Sequence, residues 1–156
     1  MKKLFLICLV ATMALMQSCK DECKDVNCQN GGACLDGTCQ CADGFSGTNC
    51  ETRGIDAFIG AWTGNNVCPG ENPDLINVVV AEVADSNTEV SVDVDGLMLT
   101  ATVVGGVMTI VENTVEFPGT EITTSGEGEI DSDGALVLEV VTDNNGVTTT
   151  CIFTGI

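Results

Sequence analysis

Cysteines are the residues of this chain whose type and spacing carry the clearest chemistry. Ten occur in 156 residues, and Cys23, Cys28, Cys34, Cys39, Cys41 and Cys50 follow the spacing C-x4-C-x5-C-x4-C-x-C-x8-C. Such density, in a segment otherwise rich in Asn, Gly, Asp and Thr, does not suit a reducing compartment and points to disulfide cross-linking outside the cytosol. The rest of the chemistry falls to carboxylates and hydroxyls, because the chain has no His, no Tyr and no Lys beyond Lys24. Most nucleophile and general-base constellations therefore cannot be assembled, and a non-catalytic protein is expected. Glu127 with Glu129, and Glu112 with Glu116, are the pairs a carboxylate-based hydrolase would need. Glu127 and Glu129, however, lie on the polar side of a strand pattern, where solvation accounts for them. Asp93 and Asp95, and Asp131 and Asp133, are the local candidates for Ca2+, which takes several carboxylate and carbonyl oxygens. Each pair also ends in Asp-Gly, which is hairpin chemistry in its own right. No cofactor is expected, with Ca2+ the one candidate ion.

The cysteine-rich stretch from Cys23 to Cys50 resembles an EGF-like domain. The likeness includes the Gln29-Asn30-Gly31-Gly32 turn, the single residue between the fourth and fifth cysteines, and the Gly44-Phe45-x-Gly47 turn. The resemblance implies the pairs Cys23 with Cys34, Cys28 with Cys39, and Cys41 with Cys50; spacing alone leaves the connectivity open. Asp21-Glu22-Cys23 is similar to part of the calcium-binding EGF signature, which makes Asp21 and Glu22 further Ca2+ candidates. Cys19 stands where that signature needs an earlier acid or amide, and the loop from Cys34 to Cys39 lacks its aromatic residue.

Ahead of this stretch, Lys2 and Lys3 precede an apolar run from Leu4 to Met16. That run is too short to span roughly 30 Å of bilayer hydrocarbon, and it suits the core of a secretory signal. It ends in Leu15-Met16-Gln17-Ser18-Cys19, which resembles the lipobox of bacterial lipoproteins and implies Cys19 as the acylated first residue of the mature protein. Lys20-Asp21-Glu22 resembles the acidic surface-export signal of lipoproteins from the Bacteroidota. With Cys8 leaving in the signal, Cys19 carrying lipid and six cysteines in the comb, Cys68 and Cys151 remain as a fourth pair. The expected organisation is a signal peptide (1–18), an anchor and linker (19–22), an EGF-like domain (23–50), a short linker (51–55) and a second domain (56–156). The expected location is the outer membrane, lipid-anchored and exposed at the cell surface.

The second domain reads as all-β. Thr88, Val90, Val92 and Val94 share one face of a run whose other face is Glu89, Ser91, Asp93 and Asp95. Ile122, Thr124, Gly126, Gly128 and Ile130 alternate in the same way. Asp95-Gly96, Gly105-Gly106, Asp133-Gly134 and Asn145-Gly146 are turn dipeptides that accept positive φ, so successive antiparallel hairpins follow. Runs near 57–67, 75–83, 88–94, 97–104, 107–117, 120–130, 135–142 and 147–154 make about eight strands, with no convincing helix after the signal. A Cys68–Cys151 bridge brings the first and last strands together, because its Cα atoms must lie within about 7 Å. An antiparallel β-barrel is therefore expected, with a Greek-key β-sandwich as the alternative, and Gly126 and Gly128 would relieve crowding at a bend.

Gly60-Ala61-Trp62 in the first strand resembles the lipocalin and wider calycin barrels. Trp62 is read as core rather than as a ligand-stacking surface, because a large aromatic usually supplies burial. Charge sets the remaining limits. The formal net charge is −18, and no Lys, Arg or His follows Arg53. Such a surface repels nucleic acid and anionic lipid heads and favours cations or basic partners. The expected function is interaction of the displayed barrel with a protein, glycan or other surface component. The alternative is a lipocalin-like carrier of a small apolar ligand, which an open internal cavity would favour.

Overall fold

The structure is a computed structural model that describes residues 22–117 and 120–156. The segment 1–18 read as a signal, Cys19 read as the lipidation site and the calcium candidate Asp21 lie outside the described residues; Glu22 lies within them, on the surface.

Two hairpin-like pairs build the disulfide-rich module. β1 (Ala33–Leu35) pairs with β2 (Thr38–Gln40), and β3 (Phe45–Ser46) pairs with β4 (Thr52–Arg53). Such short strands bury little apolar surface, so covalent links must hold them. The links join Cys23 to Cys34, Cys28 to Cys39 and Cys41 to Cys50. Around the last bridge, Asn30 Nδ2 donates to the Cys50 carbonyl at 2.8 Å and the Gln29 N–H donates to the Asn49 carbonyl at 2.8 Å, which ties the Asn-Gly turn to the end of the module.

The rest of the chain is a closed antiparallel barrel of eight strands in sequence order: β5 (Gly60–Val67), β6 (Asp74–Glu82), β7 (Glu89–Val94), β8 (Leu97–Val104), β9 (Val107–Phe117), β10 (Thr120–Ile130), β11 (Leu136–Asn144) and β12 (Val147–Gly155), with β12 returning to β5. The Greek-key alternative is overturned, since every strand pairs with its neighbours in sequence and the last closes on the first. Local chemistry explains the order. Asp95-Gly96, Gly105-Gly106 and Asn145-Gly146 each hold both residues at positive φ, the two-residue hairpin that matches strand twist. Asp93 Oδ1 accepts the Gly96 N–H at 2.7 Å, and Asp143 Oδ1 accepts the Gly146 N–H at 2.8 Å, so the acid before each turn caps it.

Alternation along these strands sends one face inward. Val78, Val80, Val90, Val92, Leu99, Ala101, Val103, Met108, Ile110, Leu136, Leu138 and Phe153 are all at most 2% exposed, and they form one cluster that fills the barrel. On β10 the inward positions include Gly126 and Gly128, which make room for larger neighbours. A Cβ at Gly126 would lie 2.1 Å from the Glu139 carbonyl oxygen and 3.2 Å from Ile110 Cδ1, so β10 approaches its neighbours more closely there than a side chain allows.

Where the sequence reads no helix after the signal, the structure has a 3-10 turn, Gly54–Ala57. It presents Ile55 and, just past its end, Phe58, both at most 1% exposed, to the end of the barrel where β5 begins. Two apolar residues three apart are too short a signal to register as a helix, but the turn needs only one such step. Trp62 packs against the same cluster, and its indole N–H donates to the Phe58 carbonyl at 2.9 Å. The first strand of the barrel is thereby fastened to the turn that caps it.

Candidate functional site

Buried inward side chains form one cluster in the barrel, and three surface features outside it are candidates for recognition. The first lies where the disulfide-rich module meets it. Gly44 rests against the β6–β7 loop so closely that a Cβ would lie 2.5 Å from the Asn87 carbonyl oxygen, and the Gly54 N–H donates to the Gly44 carbonyl at 2.7 Å. Arg53, the last cation in the sequence, donates from Nε to Asp56 at 2.8 Å and from its terminal nitrogens to Glu82 at the end of β6. Hydrogen bonds to Glu82 and Asp56 raise the Arg53 guanidinium above its ordinary range. Beside this joint, Cys41–Ser46 of the module and Val103–Gly106 of the β8–β9 hairpin bound an open cleft of about 440 Å³.

The second surface is the outer wall of β9, β10 and β11. Glu127 and Glu129 project outward, as alternation requires, and the register sets Glu139 directly opposite Glu127. Together with Val107 and Val137 these glutamates line a shallow depression of about 250 Å³. Glu139 was not singled out from sequence; only strand register brings it to Glu127, and no local motif records that register. Glu112 is exposed on β9. Glu116 lies on the same strand, where its side chain is outside the described residues.

The calcium candidates divide between opposite ends of the barrel. Asp93 lies in β7 just before the β7–β8 turn and Asp95 within that turn, whereas Asp131 and Asp133 lie in the β10–β11 connection. Asp131 Oδ1 accepts the N–H groups of Asp133 and Ala135, each at 2.9 Å, so this carboxylate, like that of Asp93, is engaged by its own turn. Among the described residues no group of three or more His, Cys, Asp or Glu gathers that could hold a metal ion.

The third surface is a seam in the wall. β8 and β9 pair over Ala101–Val104 with Val107–Ile110, although β8 starts at Leu97 and β9 continues to Phe117. At Ile110 the pairing of β9 with β10 also shifts: Ile110 faces Gly126 and Asn113 faces Thr124, so β9 spends one more residue than its partner. A bulge of this kind bends its strand and increases local twist. It follows directly on the last β8–β9 register pair. Leu97–Thr100 remain paired to β7 on their other side, and Asn113 and Thr114 to β10. Met98 and Val111, exposed by 58% and 48%, stand on the outer face at either side of the seam.

Comparison with known proteins returns no protein-family model, no curated protein and no solved structure that matches this chain.

Proposed function

We propose that this chain is a lipid-anchored cell-surface protein of a Bacteroidota-type bacterium, in which an EGF-like stalk presents a non-catalytic, lipocalin-like β-barrel to a protein, glycan or other surface component. The signal-like start, the lipobox-like run ending at Cys19 and the acidic residues behind it support the anchoring. The observation that carries the functional reading is the barrel interior. Its buried apolar side chains, among them Ile55, Phe58, Val92, Ile110, Leu138 and Phe153, belong to a single cluster. A barrel of eight strands can be filled by its own side chains, and one filled in this way offers its outer wall and loops for binding. That favours surface interaction over carriage of an apolar ligand.

The reading is tested with the full chain carrying Cys19→Ser, which has no lipid of its own. It is screened against arrayed glycans and surface proteins, with a fluorescent fatty acid as the apolar probe. Saturable binding to a surface component without stoichiometric uptake of the fatty acid is the expected result. Stoichiometric uptake with no surface partner would make the barrel a carrier and overturn the reading.

A further inference from the structure

We propose that the cleft between the disulfide-rich module and the β8–β9 hairpin is a binding site for a neutral saccharide. The inference rests on the surface-interaction reading above and names its ligand class.

The cleft, about 440 Å³, has Cys41–Ser46 and Gly54 as its module wall and Val103–Gly106 as its barrel wall. Sites for small ligands occupy roughly 300–1,000 Å³. Both walls are braced. The Cys41–Cys50 disulfide and the bond from the Phe45 N–H to the Ala42 carbonyl at 3.1 Å hold the module wall. On the barrel wall the Val103 N–H donates to the Thr88 carbonyl at 2.6 Å, and Arg53, bonded to Asp56 and Glu82, clamps one wall to the other. A site held in shape in this way loses less freedom on binding. The barrel wall also carries a donor that its sister turns do not leave open. In the Asp95-Gly96 and Asn145-Gly146 turns the glycine N–H is taken by the carboxylate three residues earlier, Asp93 or Asp143. In the Gly105-Gly106 turn that position is Val103, which is buried and has no polar side-chain atom. The Gly106 N–H therefore has no acceptor among the described residues, and nothing lies within 4 Å of where a Cβ at either glycine would stand. On the module wall Asp43 is exposed, its carboxylate has no hydrogen bond or ion pair among the described residues, and Ser46 adds a hydroxyl.

This combination of groups selects the ligand. A hydroxyl donates and accepts at once, so a ligand rich in hydroxyls satisfies the Gly106 N–H and the Asp43 carboxylate together. An anion would meet the N–H but is repelled by Asp43 in a chain of formal net charge −18, and Arg53, the last cation, is already engaged. An amine would meet Asp43 and leave the N–H without an acceptor, while a wholly apolar ligand would meet neither. Phe45 and Val104, the latter 68% exposed, add apolar surface to the same cleft. A sugar ring has both parts, a rim of hydroxyls and a C–H face that buries against such surface. The cleft is open, so it takes one or two residues of a longer glycan.

The test uses the full chain carrying Cys19→Ser, with backbone amide NMR during titration by the neutral trisaccharides cellotriose, maltotriose, mannotriose and triacetylchitotriose. Sialyllactose is the anionic control and butylamine the cationic one. The expected result is saturable shifts centred on Ala42–Ser46 and Val104–Gly106 with at least one neutral trisaccharide, and binding at least about tenfold weaker for both controls. Asp43→Ala, at an exposed position, should weaken that binding about tenfold, and Asp43→Asn should keep most of it because the amide oxygen still accepts. Leu75→Lys on the β6 wall should leave it unchanged. No saturable shift with any of the neutral sugars, or shifts that lie outside the cleft, overturns the saccharide site. Either control binding in the cleft as tightly as the best neutral sugar overturns the ligand class. A surface protein that shifts the cleft residues where no sugar does assigns the cleft to protein contact and likewise overturns it. A protein that fails here yet binds a component in the surface screen keeps the wider reading; one that binds in neither loses both.

Discussion

Cys68 and Cys151 stand one rung beyond the last register pair of the closing ladder, Val67 with Ile152, and their Cα atoms are 4.3 Å apart. Hydrogen-bonded pairing of β5 with β12 is short, running from Gly64 with Gly155 to Val67 with Ile152. The disulfide continues it as a covalent rung at the end of the barrel away from the module. The bridge spans a sequence separation of 83 residues, so it removes much of the freedom of the unfolded chain.

Replacing both cysteines, Cys68→Ala with Cys151→Ala, should lower unfolding stability by up to about 4 kcal/mol. Denaturant unfolding of the full chain measures the loss. An unchanged midpoint would mean that the hydrogen-bonded rungs close the barrel unaided.

Gly126 sits where β10 crosses closest to Glu139 and Ile110. Gly126→Ala should therefore force β10 from β11 and cost about 1–3 kcal/mol, as overpacking in a well-filled core does. Ser125→Ala, one residue away on the outer face, is the control and should change stability by less than about 0.5 kcal/mol. Thermal melting of the two variants separates the outcomes. Equal melting would contradict the close approach.

Glu127 and Glu139 are cross-strand partners of like charge, in a barrel with no cation of its own. Like charges directly opposite destabilise a sheet, and salt shortens the range of the repulsion. The melting temperature of the full chain should rise with NaCl, and Glu139→Lys should stabilise by about 0.2–1 kcal/mol while reducing that salt dependence. A flat melting series across NaCl would contradict the repulsion. Millimolar Ca2+ at matched ionic strength should add nothing, because Asp93 and Asp131 are committed to their own turns.

Much of this barrel is legible in the sequence, and the parts that are not share a physical cause. Val90 and Val92 alternate against Glu89, Ser91 and Asp93, and the two-residue turns of Asp95-Gly96 and Asn145-Gly146 accept only a hairpin, so strand positions and order follow from local chemistry. Closure follows from the requirement that Cys68 and Cys151 meet. The bulge does not. Along Val107–Phe117 the inward set passes from Met108 and Ile110 to Asn113, and a phase change inside one apolar run cannot be told from ordinary alternation without the partner strand. The same holds for Glu139 beside Glu127 and for Arg53 reaching Glu82, contacts set by register and by the placement of the module.

Within the module, Glu51 accepts hydrogen bonds from its own backbone N–H and from that of Asn49, the latter at 2.8 Å, and both hold its carboxyl below the ordinary value of 4.5. A depressed folded value means that its contribution to stability is present above the unfolded value and is lost as pH falls through the folded one. Side-chain NMR should give a Glu51 midpoint below 4.5, and Glu51→Gln should remove the stability change in that acid window. A midpoint at or above 4.5 would contradict the turn geometry.

Display of the barrel from a membrane by lipid on Cys19 is the claim on which surface interaction depends, and intact-mass analysis of the mature protein tests it most directly. The expected result is an N-terminus at Cys19 carrying the added mass of its acyl groups, with release from membranes or loss of processing in Cys19→Ser. A mature N-terminus at any other residue, or an unmodified Cys19, would contradict it.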